Sequence, residues 1–203
     1  MKLRSIFFSI LVSLTTSGFS QEPVKELVCD SIDVSAYFLG LINDYREEKG
    51  LKRLILDTGL NKACHYQAQH MAKWGCATHS ACKGGSLDDH NVFTDGRIRM
   101  FKGYIHKGFV ECCLNIGVGF SIKTLSEYPI IYPDYKKFRE VFDKGVFDYK
   151  LAAAYALAGW KNSPPHDEGL LDPDAIYGGV YMYVYKSPAD NSYRISAVYL
   201  GSF

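Results

Sequence analysis

The chain has no surplus of charge of either sign: 23 Lys and Arg stand against 22 Asp and Glu. Without the basic residues Lys2 and Arg4 of the N-terminal segment, 21 basic residues face 22 acidic, a balance of −1. Such a surface has no means of releasing counterions from nucleic acid or of holding an anionic membrane. The short basic cluster Tyr135-Lys136-Lys137-Phe138-Arg139 is interleaved with acids and reads as a solvated helix face. No Gly-x-Ser-x-Gly elbow is present, so the usual signature of an α/β-hydrolase nucleophile is lacking. Gly117-Val118-Gly119 has too few glycines, and the wrong context, for a phosphate-binding loop. No Cys-x-x-Cys knuckle occurs, which argues against a structural zinc site. His65 and His70 lie five apart and so miss the i, i+4 spacing of a helical metalloprotease pair, and His106 sits among Lys and Gly at an exposed position. After the first twenty residues no stretch approaches the ~20 apolar residues of a membrane span. There are no internal repeats and no low-complexity tracts.

The first twenty residues have the pattern of an export signal. Lys2 and Arg4 precede a short apolar run, Ile6 to Leu14, and small Gly18 and Ser20 lead to a cleavage position at Ser20-Gln21. This reading makes residues 1–20 a signal peptide, residues 21–32 a leader and residues 33–203 one domain of a secreted, extracellular or periplasmic protein. Six cysteines follow the cut, Cys29, Cys64, Cys76, Cys82, Cys112 and Cys113. An even number in an exported chain points to disulfides, although spacing does not choose their connectivity. Cys76 and Cys82 are near enough to staple the loop that carries His79. Adjacent Cys112 and Cys113, if in a strand, face opposite ways.

Apolar residues at Val34, Tyr37, Phe38, Leu41, Ile42 and Tyr45 follow helical spacing, with Gly50 as terminator. A second helix starts at Asp57 or Thr58 and buries Leu60, Ala63, Cys64, Gln67, Met71 and Trp74. A third runs over Asp95 to Lys102 and stops at Gly103. Residues 108–120 read as a strand, and residues 121–147 as an enlarged irregular connection with a short helix at Tyr135 to Phe142. Asp148 caps an alanine-rich fourth helix, Tyr149 to Trp160. Val180, Met182 and Val184 alternate with Tyr181, Tyr183 and Tyr185, as in a strand with two dissimilar faces. A turn over Ser187 to Asn191 joins it to a last strand, Tyr193 to Leu200. Helices first and strands later make the class α+β, with an antiparallel sheet under helices.

Two histidines follow abrupt helix stops. Gly75 ends the second helix shortly before His79. Pro164-Pro165 ends the fourth and places His166 in a rigid turn. If these rings share a cleft, three readings are open. They bind a ligand or hold Zn²⁺ or another divalent metal, weakly, because a stable catalytic zinc takes three protein ligands. A third ligand is available from Glu111, Asp88, Asp89 or His90. Alternatively one is a general base, with Ser163 the nearby hydroxyl, although a helix-ending serine often bonds local backbone. Or both are structural.

Leu41-Ile42-Asn43-Asp44-Tyr45-Arg46 with Gly50-Leu51 and Leu54 resembles the opening helix of the CAP superfamily, that of the cysteine-rich secretory, antigen 5 and pathogenesis-related 1 proteins, and most of all its bacterial SCP-like branch. Leu60, Ala63, Ala68, Met71, Ala72 and His79 resemble the family's second helix and first cavity histidine. Asp95-Gly96-Arg97-Ile98 with Gly103-Tyr104 resembles the segment before its Glu-Asn-Ile motif. Trp160, Ser163-Pro164, His166, Leu170-Leu171 and Gly178-Gly179-Val180 resemble its Trp…Ser-Pro-x-His signature and the strand beyond. The resemblance implies a three-layer α-β-α sandwich in which His79 and His166 face one open cleft with acidic neighbours, and Glu111, Asn115 and Ser163 are the further candidates for its lining. It implies binding of a metal, a small apolar ligand or a protein partner, without a shared catalytic activity. An extracellular metal-assisted hydrolase or peptidase, and an interaction module with a vestigial cleft, are the alternatives. One departure stands out: the family's Glu-Asn-Ile is here Leu114-Asn115-Ile116, and the nearest acid, Glu111, falls three residues earlier. In a strand that offset puts Glu111 on the face opposite Leu114, so the supporting carboxylate is expected to be absent from the cleft unless a bulge re-aims it.

Overall fold

A computed structural model describes residues 34–82, 93–117, 149–188 and 193–203. The expected signal and leader segments, Cys29, Asp88, Asp89, His90, the expected 121–147 connection, Asp148 and residues 189–192 of the expected hairpin turn lie outside the described residues. In chain order the elements are α1 (Val34–Glu48), β1 (Ile55–Leu56), α2 (Thr58–Trp74), α3 (Thr94–Met100), β2 (Phe109–Gly117), α4 (Tyr149–Lys161), α5 (Pro164–Leu170), β3 (Tyr177–Lys186) and β4 (Tyr193–Ser202).

The strands form one sheet in the order β1-β3-β4-β2. β3, β4 and β2 are antiparallel neighbours, and β2 pairs with β4 in unbroken register from Phe109–Ser202 to Gly117–Arg194. The sheet is mixed where a wholly antiparallel one was expected, because Ile55–Leu56 adds a short parallel edge to β3. Two exposed residues carry no alternation from which such a strand could be read.

Helices cover both faces, and the strand alternation sorts the side chains between two cores. Val180, Met182 and Val184 of β3 and Ile195, Ala197 and Tyr199 of β4 pack with α1, α4 and α5 around fully buried Trp160, whose ring stacks on Phe38 at 5.4 Å. Tyr183 and Tyr185, with Val198 and Leu200, face α2 and α3 on the other side. This is a three-layer α-β-α arrangement.

The Asp57 side chain caps α2 by accepting from the Leu60 amide at 2.7 Å, and Gly75 closes the helix in the left-handed conformation, with φ 65°. That closure needs a residue without a Cβ penalty. Trp74, expected on the buried face, is half-exposed beneath the Lys73 ammonium, since it ends the helix. α3 starts at Thr94 and finishes at Met100, and Lys102 takes a positive φ of 56°. Gly103 serves less as a stop than as a close approach: a Cβ on Gly59 would strike its backbone.

The largest difference from the sequence-based expectation is at Pro164-Pro165. The pair ends one helix and immediately begins another, occupying the first turn of α5, where a missing N–H costs nothing. His166 is therefore the third residue of a short helix, not part of a turn.

Candidate functional site

The loop Gly75–Cys82 leaves α2 and carries His79 out to solvent, with 58% of the side chain exposed. Its backbone is anchored throughout. A disulfide joins Cys76 to Cys82. Gln67 Nε2 donates to the carbonyls of Thr78 and Ser80, at 2.7 and 3.1 Å, on either side of the histidine. His70 Nε2 accepts from the Cys82 amide at 3.0 Å, which gives that histidine a purely structural task. Asn115 Nδ2 donates to the carbonyls of Met71 and Cys76, and its Oδ1 accepts from Tyr185. Asn115 thus clasps the end of α2 to the sheet.

Glu111 is the centre of the charged cluster. Its Oε2 lies 2.9 Å from His79 Nδ1 and accepts from the Thr94 hydroxyl at 2.6 Å. Its Oε1 accepts from Arg97 Nη2 at 2.6 Å. Arg97 is fully buried and also donates through Nη1 to the His79 carbonyl at 3.0 Å. The Glu111 side chain is only 3% exposed.

The expectation that no carboxylate reaches the cleft is therefore corrected. The argument about faces holds, since β2 pairs without a bulge and Glu111 does point away from Leu114. His79 meets the face of β2 opposite Leu114. His79 descends from α2, which packs on the side of Glu111, Cys113 and Asn115.

The carboxylate sets the state of the histidine. Its hydrogen bond raises the His79 pKa above the usual value of 6.5, against opposing effects of burial and Arg97. With Nδ1 donating to Glu111, Nε2 is the ring atom free to meet a ligand, the arrangement that orients a metal-binding imidazole.

His166 comes from the opposite layer. Its amide and that of Asp167 donate to the Ser163 carbonyl, each at 2.9 Å. Its own carbonyl lies 3.5 Å from Cys112 Sγ, on the sheet face turned away from Glu111. Among the described residues β2 is one of the two edge strands of the sheet. Burial first, then the charge of His79, lower the His166 pKa. His166 Nδ1 is buried without a hydrogen-bond partner among the described residues. Ser163 N-caps α5 by position, without a side-chain cap bond, and among the described residues no hydrogen bond links its hydroxyl to either histidine. Among the described residues, the donors that the structure brings together for a metal are the His79 imidazole, the Glu111 carboxylate and the Cys113 thiol, and His166 is not one of that group.

Thr94, Arg97 and Cys113 carry roles that the sequence alone did not assign. A helical offset from Thr94 to Arg97, and an even strand offset from Glu111 to Cys113, are the signals that place them together. The ligand atoms of His79, Glu111 and Cys113 all lie within 4.8 Å of one another. Cys112 and Cys113 are free and belong to opposite cores, and burial raises both thiol pKa values, that of Cys112 to about 12.

The sequence pattern of the cysteine-rich secretory protein family, CAP, matches residues 39–199. The chain belongs to that family. An outer surface protein from Borrelia burgdorferi shares the fold at a TM-score of 0.50 and 17% identity, over 88% of this chain and 98% of that one. An extracellular protein containing an SCP domain from Bacillus anthracis str. Ames aligns at 0.48 with 16% identity, over 81% of this chain and 40% of that one. A cysteine-rich secretory protein from Staphylococcus aureus subsp. aureus Mu50 aligns at 0.44 with 14% identity, over 87% of this chain and 40% of that one. No curated protein matches the chain significantly. Among the described residues no helix is long and apolar enough to cross a membrane.

Proposed function

We propose that this protein is an exported CAP domain that uses His79 and His166 to bind a ligand or a weakly held divalent metal such as zinc, without catalysis. The observation that carries this is the Glu111–His79 contact at 2.9 Å, held by buried Arg97 on the carboxylate's other oxygen. It prepares one imidazole for a ligand at Nε2, and the influence of the His79 charge on the His166 pKa supports the reading that the two share a site. Hydrolysis is not favoured, because among the described residues the Ser163 hydroxyl is not hydrogen-bonded to either histidine, and burial keeps the Cys113 thiol beside His79 protonated, hence a poor nucleophile. Two histidines form a weak site, which suits exchangeable binding better than a resident catalytic metal. The ligand classes consistent with this reading are a divalent cation, a small apolar molecule with a polar end, or a protein partner. The signal-like residues 1–20 and the Cys76–Cys82 disulfide support export.

Zn²⁺ titration followed by melting temperature tests the reading. At a metal concentration ~100 times the Kd, the native state should gain about 2.7 kcal/mol. The His79→Ala, His166→Ala double variant should show none of this gain. An equal gain in both proteins would place the metal elsewhere. N-terminal sequencing of exported protein should begin at Gln21.

A further inference from the structure

We propose that the inner edge of the His79 ring forms a second, thiolate-containing metal position, made of His79 Nδ1, Cys113 Sγ and Glu111 Oε2, that selects soft or borderline divalent metals. It goes beyond the outer two-histidine reading and shares only His79 with it.

Geometry carries the argument. A tetrahedral ion with bonds of about 2.3 Å to sulfur and about 2.05 Å to nitrogen sets those two atoms about 3.5 Å apart. Cys113 Sγ lies 3.6 Å from His79 Nδ1, so the sulfur–nitrogen edge is already at the required length. The nitrogen–oxygen edge, now a hydrogen bond at 2.9 Å, has to open to about 3.4 Å. That is a small movement for a ring that is largely exposed on a loop. Arg97 holds Oε1 and leaves Oε2 to the ion, while the Thr94 hydroxyl continues to donate to Oε2. The fourth position is open to water or a small ligand on the solvent side of the ring. Sulfur is buried and fixed by the strand, and the imidazole is the movable member, so the ion enters along the face of His79.

The proton balance is simple. The ion replaces the Cys113 thiol proton, which leaves to solvent. Neutral His79 keeps one proton, which moves from Nδ1 to Nε2. No oxidant or reductant takes part. Thiolate and imidazole donors favour Zn²⁺, Co²⁺ and Cd²⁺ and are poor ligands for Mg²⁺ and Ca²⁺.

Co²⁺ is the probe, added to the full exported chain with its disulfide intact. The expected result is a thiolate-to-cobalt charge-transfer band in the near ultraviolet that excess Mg²⁺ does not remove and Zn²⁺ does. Cys113→Ala should abolish the band and weaken binding by at least the ~10–100-fold that loss of a second-shell partner costs. Cys113→Val, which fills the buried position with apolar atoms and leaves no cavity, gives the same readout should alanine unfold it. His166→Ala and Cys64→Ala should keep the band. Co²⁺ bound without the band, with equal affinity in wild type and Cys113→Ala and lost in His166→Ala, would overturn this proposal and leave the outer site standing. Absence of any Co²⁺ binding would overturn this proposal together with the metal-binding form of the outer site.

Discussion

Glu111→Gln keeps the shape of the side chain and removes its charge. Arg97 is 0% and Glu111 3% exposed, so the variant strands a buried guanidinium beside a neutral amide. Removing one partner of a buried pair costs about 3–5 kcal/mol, a large part of the ~5–15 kcal/mol that holds a domain folded. The amide also has one acceptor oxygen where the carboxylate has two, while Arg97, Thr94 and His79 all donate there. Urea unfolding should show a lower midpoint at constant slope. A paired change, Glu111→Leu with Arg97→Met, should recover most of the loss, because apolar replacement of a buried pair is often neutral or stabilising. The second readout is the titration of His79 by NMR. The hydrogen bond from Glu111 is the largest cause of its raised pKa, and the opposing influences are burial and Arg97. The variant should therefore titrate below 6.5. A loss of less than about 1 kcal/mol, together with an unmoved His79 pKa, would refute the view that the carboxylate anchors this cluster.

Further outcomes are expected at the histidines, the disulfide and two glycines. In the native protein His79 should titrate above 6.5 and His166 below it, as read from their C2 protons. The raised His79 pKa adds stability that is complete below pH 6.5 and is lost as pH rises through the folded value, whereas neutral His166 loses stability as pH falls below 6.5. Reducing Cys76–Cys82 reopens a short loop and should cost about 2 kcal/mol in denaturant melts, with increased hydrogen exchange around His79. Gly179→Ala puts a Cβ 2.5 Å from the backbone of Leu60 and Asn61 and should destabilise by about 1–3 kcal/mol. Gly40→Ala, in α1 with nothing within 4 Å, should instead stabilise by roughly 0.5–1 kcal/mol in the same thermal melts.

Elements with strong local signals are legible in the amino-acid order alone. The apolar stripe of α1, the Asp57 cap and Gly75 stop of α2, and the alternation of β3 each reflect a physical period or a backbone requirement within a few residues. What escapes such a reading depends on the assembled fold. Pro164-Pro165 ends and starts helices with equal ease, so only packing of Leu170 into the core reveals α5. The two-residue β1 exists because β3 offers it partners. Strand parity separates Glu111 from Leu114 correctly, yet parity does not say which layer lies over each face. Arg97 is visible as part of a motif, but its pairing with a strand residue 14 positions away is not.

The contact of Gly179 with Leu60 and Asn61 near the start of α2 has a mechanical meaning for the other end of that helix. From Asn61 to Trp74 the axis runs about 20 Å. The bare backbone of Gly179 serves as the fulcrum of a stiff rod whose tip steers the His79 loop. Raising the fulcrum by the ~1 Å that one methyl group demands tilts or lifts the whole rod, and the imidazole shifts by a comparable distance. On the proposed reading, the affinity of the histidine would therefore respond to a residue at the opposite end of α2 that touches neither ligand nor loop.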